Sequence, residues 1–123
     1  LVRGEISVGT TPTANTAIAV YVWGSNVSLA TTPIDTLDGV DSAETLTNTG
    51  ILNALRWGAS VAVPAATSDV AYEILPFSVA SRFGGVMPKF WGLYVTHSTG
   101  VNLRNNAVNT NGLEYVGITY TVA

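Results

Sequence analysis

Apolar side chains in this chain recur at every second position over short runs, and Gly, Pro, Asn, Ser and Thr interrupt every run. A strand sends successive side chains to opposite faces, whereas a helix repeats every 3.6 residues, so this period selects strands. In LEYVGITYTVA, residues 113–123, Val116, Ile118, Tyr120 and Val122 share one face, while Gly117, Thr119 and Thr121 share the other. RWGASVAVPA, residues 56–65, alternates Trp57, Ala59, Val61 and Val63 and stops at Pro64, which has no amide to donate to a ladder. YEILPFSV, residues 72–79, reads as a strand that Pro76 confines to an edge. FWGLYVTHS, residues 90–98, sets Trp91, Leu93 and Val95 against Phe90, Tyr94 and Thr96.

One run differs. AIAVYVW, residues 17–23, is apolar on both faces, with Ile18, Val20 and Val22 pointing one way and Tyr21 and Trp23 the other. A two-layer sandwich covers one face of each sheet, so the second face needs either the long connection 24–50 or another subunit. Helix propensity is scarce, with room for a turn or two at 45–55 and at 78–83. The expected fold is all-β, an antiparallel β-sandwich or jelly roll with little helix, in a single domain over 1–123 with a loop excursion at about 24–50.

Charge narrows the function. Only 11% of residues are charged and the net charge is −3, against about 25% charged in ordinary soluble domains. Arg3, Arg56, Arg82, Lys89 and Arg104 are scattered, whereas nucleic acid binding needs clustered cations to neutralise phosphates. No nucleic-acid partner is expected. The longest apolar run is the seven residues of AIAVYVW, far short of the roughly twenty a helix needs to cross a bilayer, so no membrane partner is expected either. The N-terminus has no charged stretch leading into an apolar one, so it does not read as a signal peptide. Without cysteine there is no disulfide and no thiolate metal site. Interface cores are poor in charge and rich in aromatics. The low charge therefore favours a subunit over the second face of AIAVYVW, and makes Tyr21 and Trp23 candidate interface residues of a homo-oligomer.

Candidate chemistry is thin. DTLDGVDSAE holds Asp35, Asp38, Asp41 and Glu44, hard oxygen donors of the kind calcium takes. Their spacing does not match an EF-hand, and a solvated acidic loop explains them as well. No metal or other cofactor is expected. His97 is the only imidazole; it lies one residue from a Ser-Thr-Gly turn, and nothing nearby resembles a nucleophile elbow, so no catalytic residue is assigned. Gly84 and Gly85 lack the lysine and helix of a phosphate loop. Trp23, Trp57 and Trp91 suit either a sugar-stacking platform or a core. The alternation of Trp57 and Trp91 with Val and Leu favours the core.

FGGVMPKFWGLYVTHSTG, residues 83–100, carries the only lysine, methionine and histidine. It resembles a segment in the C-terminal half of small virion proteins of tailed bacteriophages, FGG-V-(L/M)-P-x-(F/Y)-W-(G/K)-L-x-V-x-N-S-T-G. Phe83, Gly84, Gly85, Val86, Met87, Pro88, Phe90, Trp91, Leu93, Val95, Ser98, Thr99 and Gly100 match, as does the ending YVGITYTVA. His97 stands where that pattern has asparagine. The resemblance covers about the last fifty residues well and the rest loosely. It implies a structural virion component, foremost a cement or decoration protein on the outer surface of the capsid. The implied partners are the major capsid protein or other virion proteins, and the implied assembly is a homo-oligomer, trimer or dimer. On this reading Trp57, Phe83, Gly84, Gly85, Pro88, Trp91 and Gly100 build core and turns. A tail, baseplate or fibre component is the alternative, and a carbohydrate-binding module a more distant one.

Overall fold

The computed structural model describes residues 1–40, 42–48, 50–51, 55–104 and 111–118. Its elements run β1 (Val2–Ser7), β2 (Thr16–Ser25), β3 (Arg56–Val63), β4 (Ala71–Phe77), α1 (Val79–Arg82), β5 (Phe90–His97) and β6 (Gly112–Tyr115). Two three-stranded sheets result, ordered β4-β1-β6 and β3-β2-β5. The chain is all-β and antiparallel, and its described helix is a single turn. Contacts gather into two compact units, one of Leu1–Ala19, Ala59–Ser78 and Val95–Ala123 and one of Val20–Gly58 and Val79–Tyr94, with boundaries inside β2, β3 and β5.

The first unit holds the sheet centred on β1. Val2 faces Phe77 and Gly4 faces Ile74, so two steps along β1 match three along β4. The extra residue is a bulge at Leu75–Pro76. It returns Ile74 and Phe77, an odd distance apart, to one buried face, and it places Pro76 where the ladder is already broken. The edge position expected from Pro76 is the one β4 occupies. Among the described residues of this unit, Val2, Ile6, Val8, Ile18, Val63, Ile74 and Phe77 are the buried hydrophobics. β6 covers only four residues, but reciprocal bonds between Leu1 and Val116, at 2.9 and 2.8 Å, carry its ladder one pair further. The strand expected over 113–123 thus begins at Gly112, and Tyr120 and Val122 lie outside the described residues.

In the second unit the two-faced β2 is resolved. Val20 and Val22 are buried on one side. On the other, Tyr21 and Trp23 pack, with Ile34, Leu46 and Tyr94, against a cluster of buried Leu29, Leu37 and Leu55. The chain's own connection therefore packs on this face, and Tyr21 and Trp23 stay partly exposed there. Leucines spaced irregularly along a loop carry no period, and this is why the cover was not visible in the sequence. Two tryptophans also depart from expectation. Trp57, assigned to the core, is 49% exposed: it is the second residue of edge strand β3, and its ring meets that of Tyr21 at 90° with centroids 5.7 Å apart. Trp91 is only partly buried, because no residue of edge strand β5 is fully covered.

Candidate functional site

The segment 83–100 was the strongest sequence lead, and its parts act as construction. Ala80 C=O accepts from Phe83 N–H at 3.0 Å and from Gly85 N–H at 2.8 Å. A bond closing six residues at a helix end is the signature of a Schellman cap, whose following residue is left-handed. Gly84 and Gly85 have φ of +70° and +89°, and no side chain crowds either one. The double glycine is therefore a helix stop, and α1 ends there because glycine takes this conformation without the strain a Cβ brings.

Phe83 and Pro88 then lie over Gly24 of β2. A Cβ at Gly24 would sit 2.6 Å from the Pro88 ring and 2.7 Å from the Phe83 ring. Trp23 does the same to Gly92 of β5, with indole carbons 2.5 Å from where a Cβ would be. Each ring lies on bare backbone, and each glycine is the socket for it. Arg82 donates from Nη2 to Gly58 C=O at 3.1 Å, and Lys89 lies 5.5 Å from the centroid of the Phe90 ring.

In the first unit, His97 fastens the turn that follows β5. Thr99 Oγ1 donates to Val101 C=O at 3.1 Å, so its oxygen is left to accept from His97 Nδ1–H at 2.8 Å. Thr99 is fully buried, and its own C=O accepts from Thr13 N–H at 2.8 Å. Gly100 follows at φ +71°. The imidazole is thus one link in a hydrogen-bonded clasp. Thr99→Val keeps the shape and deletes the middle link. It is expected to lower stability by about 1–2 kcal/mol, because buried partners are left unpaired. Urea denaturation checks this, and an unchanged midpoint would refute the clasp.

The acidic loop belongs to the second unit. Ile34 and Leu37 exchange both backbone bonds, at 3.0 and 2.9 Å, around a two-residue turn. Asp35 begins that turn at φ +56°, a left-handed conformation that aspartate tolerates better than most residues. Its carboxylate accepts from Thr47 N–H at 2.8 Å, from Asn48 N–H at 3.1 Å and from the Thr47 hydroxyl. The Thr47 hydroxyl, followed by the backbone bonds, holds its pKa below the ordinary aspartate value. Asp38 accepts locally from Val40 N–H at 2.8 Å, and Glu44 from the Ser42 hydroxyl. Asp41 lies outside the described residues. The described carboxylates thus serve separate local donors and do not converge, and among the described residues no three His, Asp or Glu gather.

The Asp35 clamp carries a pH dependence with a definite sign. A depressed folded-state pKa means that the bonds stabilise above the unfolded pKa and are lost as pH falls through the folded one. Asp35→Asn, which mimics the protonated acid and keeps the left-handed preference, is expected to melt below the parent at pH 7. The gap should close as pH drops below about 4, where free aspartate protonates. Melting curves from pH 7 to pH 2 test this; a gap that stays constant would show that charge has no part in the clamp.

A concavity in the first unit is an open groove between Gly9–Thr10 and Gly100–Arg104. Its one cation is committed: Arg104 Nη1 pairs with Asp69 at 2.7 Å and donates to Thr10 at 3.2 Å. Among the exposed described residues are several large apolar ones. Val86 is 72% exposed, and Met87, Phe90, Leu75, Val116 and Ile118 are exposed too. Sequence reasoning missed Gly4, Gly24 and Gly92 as close-approach positions. A lone glycine inside a strand pattern was the available signal. No protein-family model, curated protein or solved structure matches this chain.

Proposed function

We propose that this protein is a structural component of a tailed-phage particle, a cement or decoration protein that docks on the outside of the head shell. The observation that carries the reading is the segment 83–100. Its glycines, proline and histidine are consumed in a cap, a socket and a clasp, while Val86 and Met87 remain outside. A chain with 11% charged residues and apolar side chains turned outward suits burial against a protein lattice. The second face of β2 already has the chain's own connection packed on it, so the reading does not lean on that face. The argument that remains is the exposed apolar surface of the other elements. Docking of this kind is apolar, so the protein stays on particles in about 1 M salt, where the screening length is about 3 Å.

The test is its copy number in purified particles, measured by quantitative mass spectrometry. Hundreds of copies support the head-shell role, a handful points to tail, baseplate or fibre, and none removes the reading. Trp57, half exposed beside Tyr21, is the specific feature that favours a carbohydrate-binding module. Quenching of its fluorescence by oligosaccharide, with no copies in particles, would favour that alternative.

A further inference from the structure

We propose that Asn111–Gly112 is a self-modification site: released from β1, it cyclises and hydrolyses to aspartate or isoaspartate, and the isoaspartate form no longer rejoins the sheet in full. The argument concerns the first unit alone and does not rest on a virion role. Asn111 is the only asparagine followed by glycine. Such a pair closes a five-membered imide ring readily, because glycine has no Cβ to obstruct its own nitrogen and turns freely toward the preceding side chain. Both residues are exposed, so water reaches them.

The reaction needs only water. The Gly112 nitrogen gives up its proton and attacks Asn111 Cγ. The new C–N bond closes the imide, the Cγ–Nδ2 bond breaks and ammonia leaves with the proton. Water then opens the ring at one of its two carbonyls. Opening at Cγ restores the original main chain and leaves an aspartate. Opening at the main-chain carbonyl leaves isoaspartate, in which the chain runs through Cγ and is one backbone atom longer.

In the fold both reacting groups are engaged. Leu1 and Val116 exchange both bonds, and the register runs unbroken from there to Glu5 opposite Gly112. Bonded and non-bonded pairs alternate in an antiparallel ladder, so Gly112, like Glu114 and Val116, turns its N–H to β1, onto Glu5 C=O. Asn111 Oδ1 accepts from Ser7 N–H at 2.6 Å, so a side chain makes the next rung of the same ladder. The nucleophile and the carbon it attacks are thus held by two residues of one strand, and β6 must leave β1 before they can turn to each other. The two products then differ. An aspartate carboxylate accepts from Ser7 N–H as the amide did. The longer isoaspartate chain has its Cγ carbonyl in the main chain and cannot make both rungs. Ser7 is fully buried, and a buried N–H without an acceptor is destabilising.

Incubating the parent in neutral buffer, with and without denaturing urea, tests this. Fragmentation of the tryptic peptide 105–123 locates conversion at Asn111, and isoaspartate separates from aspartate on elution. Conversion in the folded protein is expected to be at least about tenfold slower than in urea, which corresponds to about 1.4 kcal/mol for local opening. Gly112→Ala crowds the nucleophile and should slow conversion in both conditions. Nothing lies within 4 Å of where its Cβ would be, so the fold has room for it. Asn111→Asp stands for the aspartate product, and its β6 amides should exchange as the parent's do. The purified isoaspartate chain should exchange them at least about tenfold faster. Equal rates with and without urea, a Gly112→Ala protein that converts like the parent, or an isoaspartate chain whose β6 exchanges like the parent's would each overturn the proposal. The copy number in particles plays no part in this test, so either reading can fail alone.

Discussion

Replacing Gly4 by alanine is expected to remove about 4 kcal/mol or more of stability, a loss reached only by a short list of mechanisms. Gly4 is in the middle of β1, the central strand of its sheet, opposite Ile74 of β4 and Leu113 of β6. Its φ is +153°, and a Cβ built there would lie 1.9 Å from the Gly112 carbonyl oxygen and 2.9 Å from the Leu113 Cα. Both obstacles are backbone, so no rotamer change relieves them. Either β1 abandons this conformation or β6 leaves β1, and the second outcome opens the sheet over Val2 and Ile6. The cost should appear as a fall in urea midpoint and as faster amide exchange in β6 than in β4. A Gly4→Ala protein within about 1 kcal/mol of the parent, the size of an ordinary surface effect, would mean that β6 is not held as described.

Trp23→Ala is expected to cost about 3 kcal/mol, at the low end for large aromatic truncations because the ring is only partly buried. The indole does two things at once. It covers the bare backbone of Gly92 and it packs on the Leu29, Leu37 and Leu55 cluster that holds down the long connection. Its loss should therefore loosen the connection before the sheet, and limited proteolysis should cut within residues 26–51 first. Gly92→Ala tests the contact from the other side. In the parent its Cβ collides with the indole and overpacking costs about 1–3 kcal/mol. In the Trp23→Ala background the collision is gone and the cost should fall. Contacting residues show such coupling and distant ones do not, so additive losses would show that ring and glycine are not in contact.

The resemblance of 83–100 to phage virion segments and the physics of the same residues meet at one point. The matched positions that are glycine, proline or phenylalanine mostly perform local geometry. A cap, a ring on a glycine and a turn clasp are solutions any β-protein can use, so they speak for the fold more strongly than for a partner. The proposed docking role rests on the exposed apolar residues Val86 and Met87, which local geometry does not require to be apolar.

Much of the architecture was legible from period alone. Alternation placed β2, β3 and β5 within a residue or two, and Pro76 marked an edge because a missing amide costs least there. The burial of Val20 and Val22 followed from the same alternation. Where alternation breaks, the reading breaks with it. The bulge at Leu75–Pro76 puts Ile74 and Phe77 on one face against the period. Trp57 is in phase with buried Val63, yet lies at the far end of an edge strand where the cover has run out. The acidic run DTLDGVDSAE looked like a ligand set because a list of residues does not show direction. In the fold Asp35 turns to Thr47 and Asn48, Asp38 to Val40 and Glu44 to Ser42.

The sequence by itself determined the class: period-two runs of β-branched and aromatic residues, punctuated by turn formers, leave no other way to satisfy the backbone and bury the apolar face. It also determined the low charge, and with it the kind of surface the protein presents. Only the tertiary structure decided what packs on Tyr21 and Trp23 and which glycines receive rings. Those depend on contacts between residues far apart in the chain, such as Gly4 with Gly112 and Tyr21 with Leu55. Local periodicity carries the direction of each side chain but not the identity of what arrives to meet it.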